Sequence, residues 1–487
     1  MNGTDGFKSL VYAVRMSALG HLASRLAVIV ALLCLPSLLV AVIFSEYRYI
    51  PWLAGVIVLL LAFAASTWRL TEPHRVSVGE GFVLTAATFL LIPLLMSIAL
   101  WPAQLGFADL LLETTSAITT TGLSTITQPE LADKTLLFTR AWMQWYGGMG
   151  IVVFSVTFLM QRSLAVYQLL DLPEGQGIVS AASVYARRVF KLYVFITVVA
   201  IAVCWASLGE FYGGLLHGFA AISTGGFSTL GTSVETLPFL AQLGIMLCGL
   251  AGAFSFAIYL QLERGAWQQV LTNQELQFFL GLLGLICGLL TLVHWSNGAD
   301  LVDALRNAFL MGSSALSTTG FSSMEPGQMS DDYLLILILA MFLGGCLGST
   351  AGGFKIFRIM VVMQVLVTYF RRASAAPHAV IEPRIQGRHL TQDQVQLAML
   401  TGTLFMGLTL VSWFIFLMYD YAPVQSLYEV ISAVATVGLS SGITNTDLPL
   451  LLKAVLCIDM IAGRVEVLAL IYLFYPGTWF GRRNHER

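Results

Sequence analysis

Apolar residues run along this chain in long unbroken stretches, without the alternation that marks half-buried strands or a membrane β-barrel. Ten stretches approach or exceed the roughly 20 residues a helix needs to cross a bilayer: about 26–45, 51–70, 82–101, 136–161, 189–209, 237–260, 276–295, 333–370, 395–419 and 450–475. The pattern predicts an all-α polytopic membrane protein. Four of the gaps between stretches carry one small polar signature: Ser116-Ala-Ile-Thr-Thr-Thr-Gly-Leu-Ser124, Ala220-Ala-Ile-Ser-Thr-Gly-Gly-Phe-Ser228, Ser314-Ala-Leu-Ser-Thr-Thr-Gly-Phe-Ser322 and Ser432-Ala-Val-Ala-Thr-Val-Gly-Leu-Ser440. Ala at −5, Thr at −2, Gly at 0 and Ser at +2 are shared by every copy, and the glycines are spaced by 104, 94 and 118 residues.

After two N-terminal spans (1–75), the order span, signature, span occurs four times, over about 76–163, 164–272, 273–375 and 376–487. Two spans per unit give every unit the same orientation, and parallel repeats are related by an axis along the membrane normal. Four pseudo-symmetric units around one axis predict a central pore built from a single chain. The segments before the signatures, 107–113, 211–217, 301–307 and 424–429, read as helices too short to span. Half-helices followed by irregular backbone survive at membrane depth only when buried in protein or facing water.

Composition agrees. Of 487 residues 57% are hydrophobic and 11% charged, against about 25% charged in a soluble domain, and the mean hydropathy is +0.80. The six cysteines lie scattered in apolar spans with no metal-ligand or CxxC spacing, which predicts neither a disulfide nor a zinc framework. Seventeen of the 25 basic residues fall on one side of the spans, five on the other and three within or beside spans. The positive-inside rule therefore places both termini in the cytoplasm and all four signatures outside. No signal peptide is read at the N-terminus, and residues 7–25 are expected to form an amphipathic surface segment.

The signature suits a cation. Each glycine lies just past a short helix, whose C-terminal dipole carries partial negative charge. Glycine lets the backbone aim carbonyls at an ion in place of water. The Thr at −2 and Ser at +2 supply hydroxyls or anchor the loop, and the Ala at −5 lets helices pack closely. No carboxylate lies inside the signature, so a carbonyl filter for a monovalent cation is expected. The competing reading of any one copy is an ordinary Gly/Ser/Thr turn; four copies in one frame favour the filter.

On these signatures the chain resembles the Trk/Ktr/HKT superfamily of cation transporters over nearly its whole length. The two extra N-terminal spans are similar to the bacterial TrkH type of potassium transporter and not the shorter KtrB type. The resemblance implies a potassium-channel-like fold and a K+ filter formed by Thr120, Thr121 and Gly122, by Thr224, Gly225 and Gly226, by Thr318, Thr319 and Gly320, and by Thr436, Val437 and Gly438, with K+ held at their backbone carbonyls. Plant relatives that prefer Na+ have Ser at the first filter position, so Gly122 implies K+ selectivity. The frame of the second copy rests on the shared Phe227-Ser228.

The span at 333–370 is too long for one helix and contains five glycines within ten residues, 344–353; glycine costs about 1 kcal/mol per residue in a helix. A flexible loop beneath the filter is expected, and the family has an intramembrane gating loop there. The gate residues are then Gly344, Gly345, Gly348, Ser349, Thr350, Ala351, Gly352, Gly353, Lys355 and Arg464; the alternative for the glycines is a helix-packing seam. A mid-span Arg464 is costly. The family has an Arg there that faces the gating loop, and the alternative is an ion pair with Asp459 or Glu466. Lys355 either joins the gate or snorkels with Arg358. Asp109, Glu113, Asp303 and Glu429, with His217 matching Glu113 and Glu429, are expected to be scaffold before cation attractors.

No HExxH, GxSxG or paired intramembrane Asp motif appears, so no enzyme is expected. A Na+-permeable or Na+-coupled relative is the nearest alternative. A secondary transporter of organic solutes is the more distant one, disfavoured because only the third unit's second span reads as broken. No nucleotide motif is present and no nucleic-acid partner or cofactor in the chain is expected. The resemblance implies a separate cytosolic TrkA-like nucleotide-binding subunit (NAD(H) or ATP/ADP), docked on basic loops 371–388 and 182–191, a homodimer, and the bacterial cytoplasmic (inner) membrane.

Overall fold

The apolar stretches fold as helices in a computed structural model that describes residues 13–68, 70, 76–162, 178–376 and 381–480. Apart from a hairpin of two-residue strands, Arg384–Ile385 and Arg388–His389, the described chain is helices and loops. Among the described residues six helices are each long and apolar enough to cross a membrane: Met16–Ile43, Tyr47–Thr67, Gly79–Ala99, Val184–Leu208, Gln274–Ser296 and Gln392–Leu417. These are the N-terminal pair and the helix preceding each signature. Their outward faces stay apolar and exposed, at Leu32, Val58, Phe195, Val198, Leu292 and Phe414 among others, as a lipid-facing surface requires.

The four spans that follow the signatures are different: the third is broken as expected, and the second and fourth correct the expectation of straight helices. The first, Lys134–Arg162, is continuous. The second breaks into Phe239–Ala253 and Phe256–Glu263, bent by 91°. The third breaks into Asp331–Leu343 and Ile356–Ala373 around the expected loop, now 344–355. The fourth breaks at Glu466, in a left-handed conformation (φ 66°), between Leu450–Val465 and Val467–Phe474. Broken backbone is therefore a property of three units, not only of the third. The expected basic loop 182–191 is instead part of the helix Ile178–Leu208. The expected surface segment 7–25 lies partly outside the described residues, and from Met16 onward it belongs to the first span.

The short helices are Phe107–Ile118, Phe211–Ile222, Leu301–Leu316 and Pro423–Val434. Each continues past its expected end into the first half of its signature. The alanines at −5 (Ala117, Ala221, Ala315, Ala433) sit in their last turns, fully buried. Packing is cyclic. Each helix after a signature packs against its own short helix and against the short helix of the next unit, and Leu450–Val465 closes the circle on Phe107–Ile118. Close approach is enforced by glycine: a Cβ on Gly147, Gly252 or Gly463 would strike the last helical carbonyl of the same unit, at Ile118, Ile222 or Val434.

An ion pair fastens the closing seam: Lys453 Nζ lies 2.6 Å from Asp109 Oδ1, with both side chains largely buried. Removing one partner from such a pair strands the other charge, at a cost of about 3–5 kcal/mol, whereas an apolar replacement of both is close to neutral. Asp109→Asn is therefore expected to lower the melting temperature in detergent sharply, and Asp109→Leu with Lys453→Met to recover most of it. Equal losses in both variants would show that the pair itself holds the seam together.

Candidate functional site

The signature's second half begins with a helix cap. The N–H of Thr120, Thr224, Thr318 and Thr436 donates to the carbonyl of the −5 alanine, and the next N–H donates to the carbonyl at −6, over 2.7–3.2 Å. This is the paired bonding of a Schellman cap, which puts the capping residue in the left-handed region. Here that residue is Thr, at φ 54°, 51°, 54° and 50° in the four units. A β-branched residue pays about 1–2 kcal/mol there. Four identical instances mark strain kept for a site.

Two residues later the glycines return to positive φ, at 95° for Gly122, 74° for Gly226, 81° for Gly320 and 95° for Gly438. The second copy thus follows the expected frame, with Gly226 in the ring position. The four glycines meet in a closed cycle. A Cβ added at Gly122 would collide with the carbonyl oxygen of Gly225, at Gly226 with that of Thr319, at Gly320 with that of Val437, and at Gly438 with that of Thr121. Each ring glycine therefore abuts the −1 carbonyl of the next unit. The −1 side chains of Thr121 and Thr319 are tied back to hydroxyls of Thr119 (2.8 Å) and Ser317 (2.5 Å). The hydroxyls of Thr120 and Thr436 are buried without a hydrogen-bond partner among the described residues, available to an incoming ligand. Beyond the ring lies a cavity of about 400 Å³, lined by the four glycines and by Ser124, Ser228, Ser322 and Ser440.

The scaffold role expected of the outer acids holds for most of them. Glu113 accepts from Ser124 Oγ (2.7 Å) and Thr125 N (2.6 Å); Glu429 accepts from Ser440 Oγ (2.8 Å) and Ser441 N (2.9 Å). His217 reaches Ser228 Oγ at 3.2 Å. In the third unit Met311 occupies this slot, with its sulfur accepting from Ser323 N at 3.4 Å. Asp303 is exposed and makes none of these contacts. The +2 serines of the first, second and fourth units are therefore anchors of the loop.

Two participants were not singled out by the sequence. Arg140, read as one of the cations of the signature side, is 2% exposed, pairs with Glu113 at 3.0 Å and lies 4.0 Å above the Phe227 ring. Gln144 donates to the Gly225 carbonyl at 2.5 Å and accepts from Phe227 N at 3.4 Å. Both brace the second signature from the first unit. Polar residues inside the apolar run 136–161 were the available signal.

On the far side of the ring lies the 344–355 loop. Gly352 N donates to Thr318 Oγ1 at 2.7 Å and Gly353 N to the Ala435 carbonyl at 2.9 Å. Thr350 Oγ1 donates to the carbonyls of Ile222 (2.9 Å) and Gly252 (2.8 Å). The loop thus touches the ends of three short helices directly behind the ring, in contacts that a continuous packing seam would not make. Arg464, 4% exposed, donates from Nη1 to the Thr350 carbonyl at 2.8 Å; its Nε and Nη2 have no hydrogen-bond partner among the described residues. The alternative ion pairs for Arg464 are not formed. Asp459 instead accepts from Ser412 at 2.7 Å, and Glu466 pairs with Arg358. Lys355 is buried at φ 75°. With Ala351, Gly352, Arg358, Arg464 and Glu466 it lines a cavity of about 90 Å³ beneath the loop.

Comparison with known proteins identifies the family and the overall fold. The family model for TrkH, described as a cation transport protein, matches residues 52–287 and 297–478. The chain is 28% identical to the Trk system potassium uptake protein TrkI of Halomonas elongata, over 91% of this chain and 92% of that one. It is 26% identical to the Trk system potassium uptake protein TrkG of Escherichia coli, over 94% and 98%. The fold matches the crystal structure of the potassium transporter TrkH from Vibrio parahaemolyticus with a TM-score of 0.84, at 22% identity, over 96% of this chain and all of that one.

Proposed function

The chain belongs to the TrkH family of cation transport proteins, and on that premise we propose that it carries K+ inward across the bacterial cytoplasmic membrane through the signature ring. The observation that carries this reading is the closed cycle in which each ring glycine abuts the −1 carbonyl of the next unit. Such a cycle offers an ion leaving water a ring of backbone oxygens, the chemistry of carbonyl filters. The unpartnered hydroxyls of Thr120 and Thr436 extend it inward. The names of the relatives, potassium uptake proteins, support K+ as the ion.

The filter is the set 120–122, 224–226, 318–320 and 436–438. K+ gathers in the outer cavity, sheds water at the ring and meets the 344–355 loop, which is the gate. The hydrogen bonds of the loop to Thr318 and Ala435 and the Arg464–Thr350 contact support reading this arrangement as the closed one. Arg464 also sets a positive charge in the path, raising the barrier to a cation. Opening is assigned to a separate cytosolic TrkA-like subunit that binds NAD(H) or ATP/ADP, acting on a homodimer of this chain. The signatures face outward and the termini face the cytoplasm, by the asymmetry of basic residues.

The test is Rb+ uptake into KCl-loaded liposomes containing the pure protein. External K+ is expected to suppress uptake and Na+ to leave it unchanged. Equal suppression by Na+ would retain the pore and overturn the selectivity. No uptake even with the partner subunit present would overturn the transport reading.

A further inference from the structure

The 344–355 loop is held from a second direction, by a residue outside the ring, the loop and the Arg464 span. Leu347 N donates to Glu275 Oε1 at 2.6 Å. Glu275 sits in the first turn of the helix Gln274–Ser296, whose N-terminus is capped by Asn273 through Leu276 N at 3.0 Å. The neighbouring Gln274 accepts from Gln386 N at 2.9 Å, within the hairpin Arg384–His389. That hairpin is fixed in turn to the helix after the loop, because Gln364 Nε2 donates to the Arg384 carbonyl at 2.6 Å. Two consecutive side chains thus grip the loop on one side and the hairpin on the other.

We propose that Glu275 is the latch of the gate, a positioning residue that holds the loop closed through the Leu347 N–H, and that Gln274 makes the latch responsive to displacement of the 384–389 hairpin. The proposal rests on the reading of 344–355 as the gate. A carboxylate bonded to a backbone N–H is among the stronger hydrogen bonds, roughly twice a neutral one. Here a carboxyl oxygen accepts, where carbonyls or hydroxyls accept in the contacts to Thr318 and Ala435, and the bond stands beside the charge-assisted one from Arg464 to the Thr350 carbonyl. Gly344 and Gly348 flank Leu347 at positive φ, so once Leu347 is freed the chain can swing at these two positions, with the Cys346–Ala253 and Phe256–Gly348 backbone bonds left to break. A cytosolic protein that pulls on the hairpin would act on the same helical turn.

Cys346, next to Leu347 and fully buried, reports the loop's state. With the other five cysteines replaced by serine or alanine, its labelling by a small charged thiol reagent is measured beside basal Rb+ flux, in the absence of any partner. Glu275→Ala is expected to raise both about tenfold or more. Glu275→Gln, whose amide oxygen still accepts, is expected to stay within about threefold of the parent chain. Unchanged labelling in a well-folded Glu275→Ala protein overturns the latch. Raised labelling with unchanged flux keeps the latch and overturns the loop as gate, so the two readings fail separately. Leu347→Pro removes the N–H and leaves Glu275 in place; it is expected to reproduce the Glu275→Ala labelling and stands in if that variant misfolds. Gln274→Ala is expected to raise labelling about twofold or more, and no change there removes the hairpin from the latch.

Discussion

Gly320→Val is expected to reduce Rb+ uptake at least a hundredfold, while Gly122→Ser is expected to keep uptake and let Na+ compete. Both follow from the same contact. A Cβ at a ring glycine enters the space of the next unit's −1 carbonyl, Val437 for Gly320 and Gly225 for Gly122. A single small side chain fits only if that carbonyl swings out, which removes one ligand and with it the discrimination between ions. Valine adds two methyl groups to a position at φ 81°, where β-branched residues are genuine outliers, and the ring cannot close around it. A hundredfold loss corresponds to about 2.8 kcal/mol, within reach of left-handed strain plus one displaced carbonyl. Gly281→Ala is the control, because a Cβ there meets nothing within 4 Å and uptake should be unchanged. Na+ exclusion surviving in Gly122→Ser would show that the ring does not select.

Arg464→Ala, or deletion of 345–353, is expected to raise basal flux tenfold or more without any partner. Arg464 makes one charge-assisted bond, to the Thr350 carbonyl at 2.8 Å, and bonds to charged groups are worth about 1.5–3 kcal/mol. Losing that bond shifts a closed–open equilibrium by roughly 10- to 150-fold. Removing the charge also lowers the barrier in the path. Deleting the loop removes at once its contacts to Thr318, Ala435, Ile222 and Gly252. A drop in melting temperature with flat flux would make Arg464 a structural residue and leave the gate elsewhere.

Much of the site was legible because its parts recur. The Thr and Gly of each signature take one conformation four times, and four copies expose a constraint that one copy hides. The glycines of 344–353 were legible as a helix break for the same kind of local reason: each disfavours the helix. Arg464 was visible as a charge out of place in an apolar span. By contrast Arg140 and Gln144 looked like ordinary polar residues, because their partners Glu113 and Gly225 lie 27 and 81 positions away in the chain. The kinks of the second and fourth units were also hidden. Neither Ala253-Phe-Ser255 nor Val465-Glu-Val467 carries a proline or a glycine to announce a break.

By itself the sequence determined the membrane environment, the helical class, the fourfold plan and the positions where backbone must turn. These depend on local quantities: apolar run length, glycine conformation and the spacing of small residues. Only the tertiary structure decided that the −1 carbonyl of one unit meets the glycine of the next, that Arg464 bonds Thr350 and not Asp459 or Glu466, and that Glu275 reaches Leu347 across 72 residues. Those pairings arise when four units close into a circle. Which groups then face each other is set by packing between segments, and no local pattern in the chain encodes it.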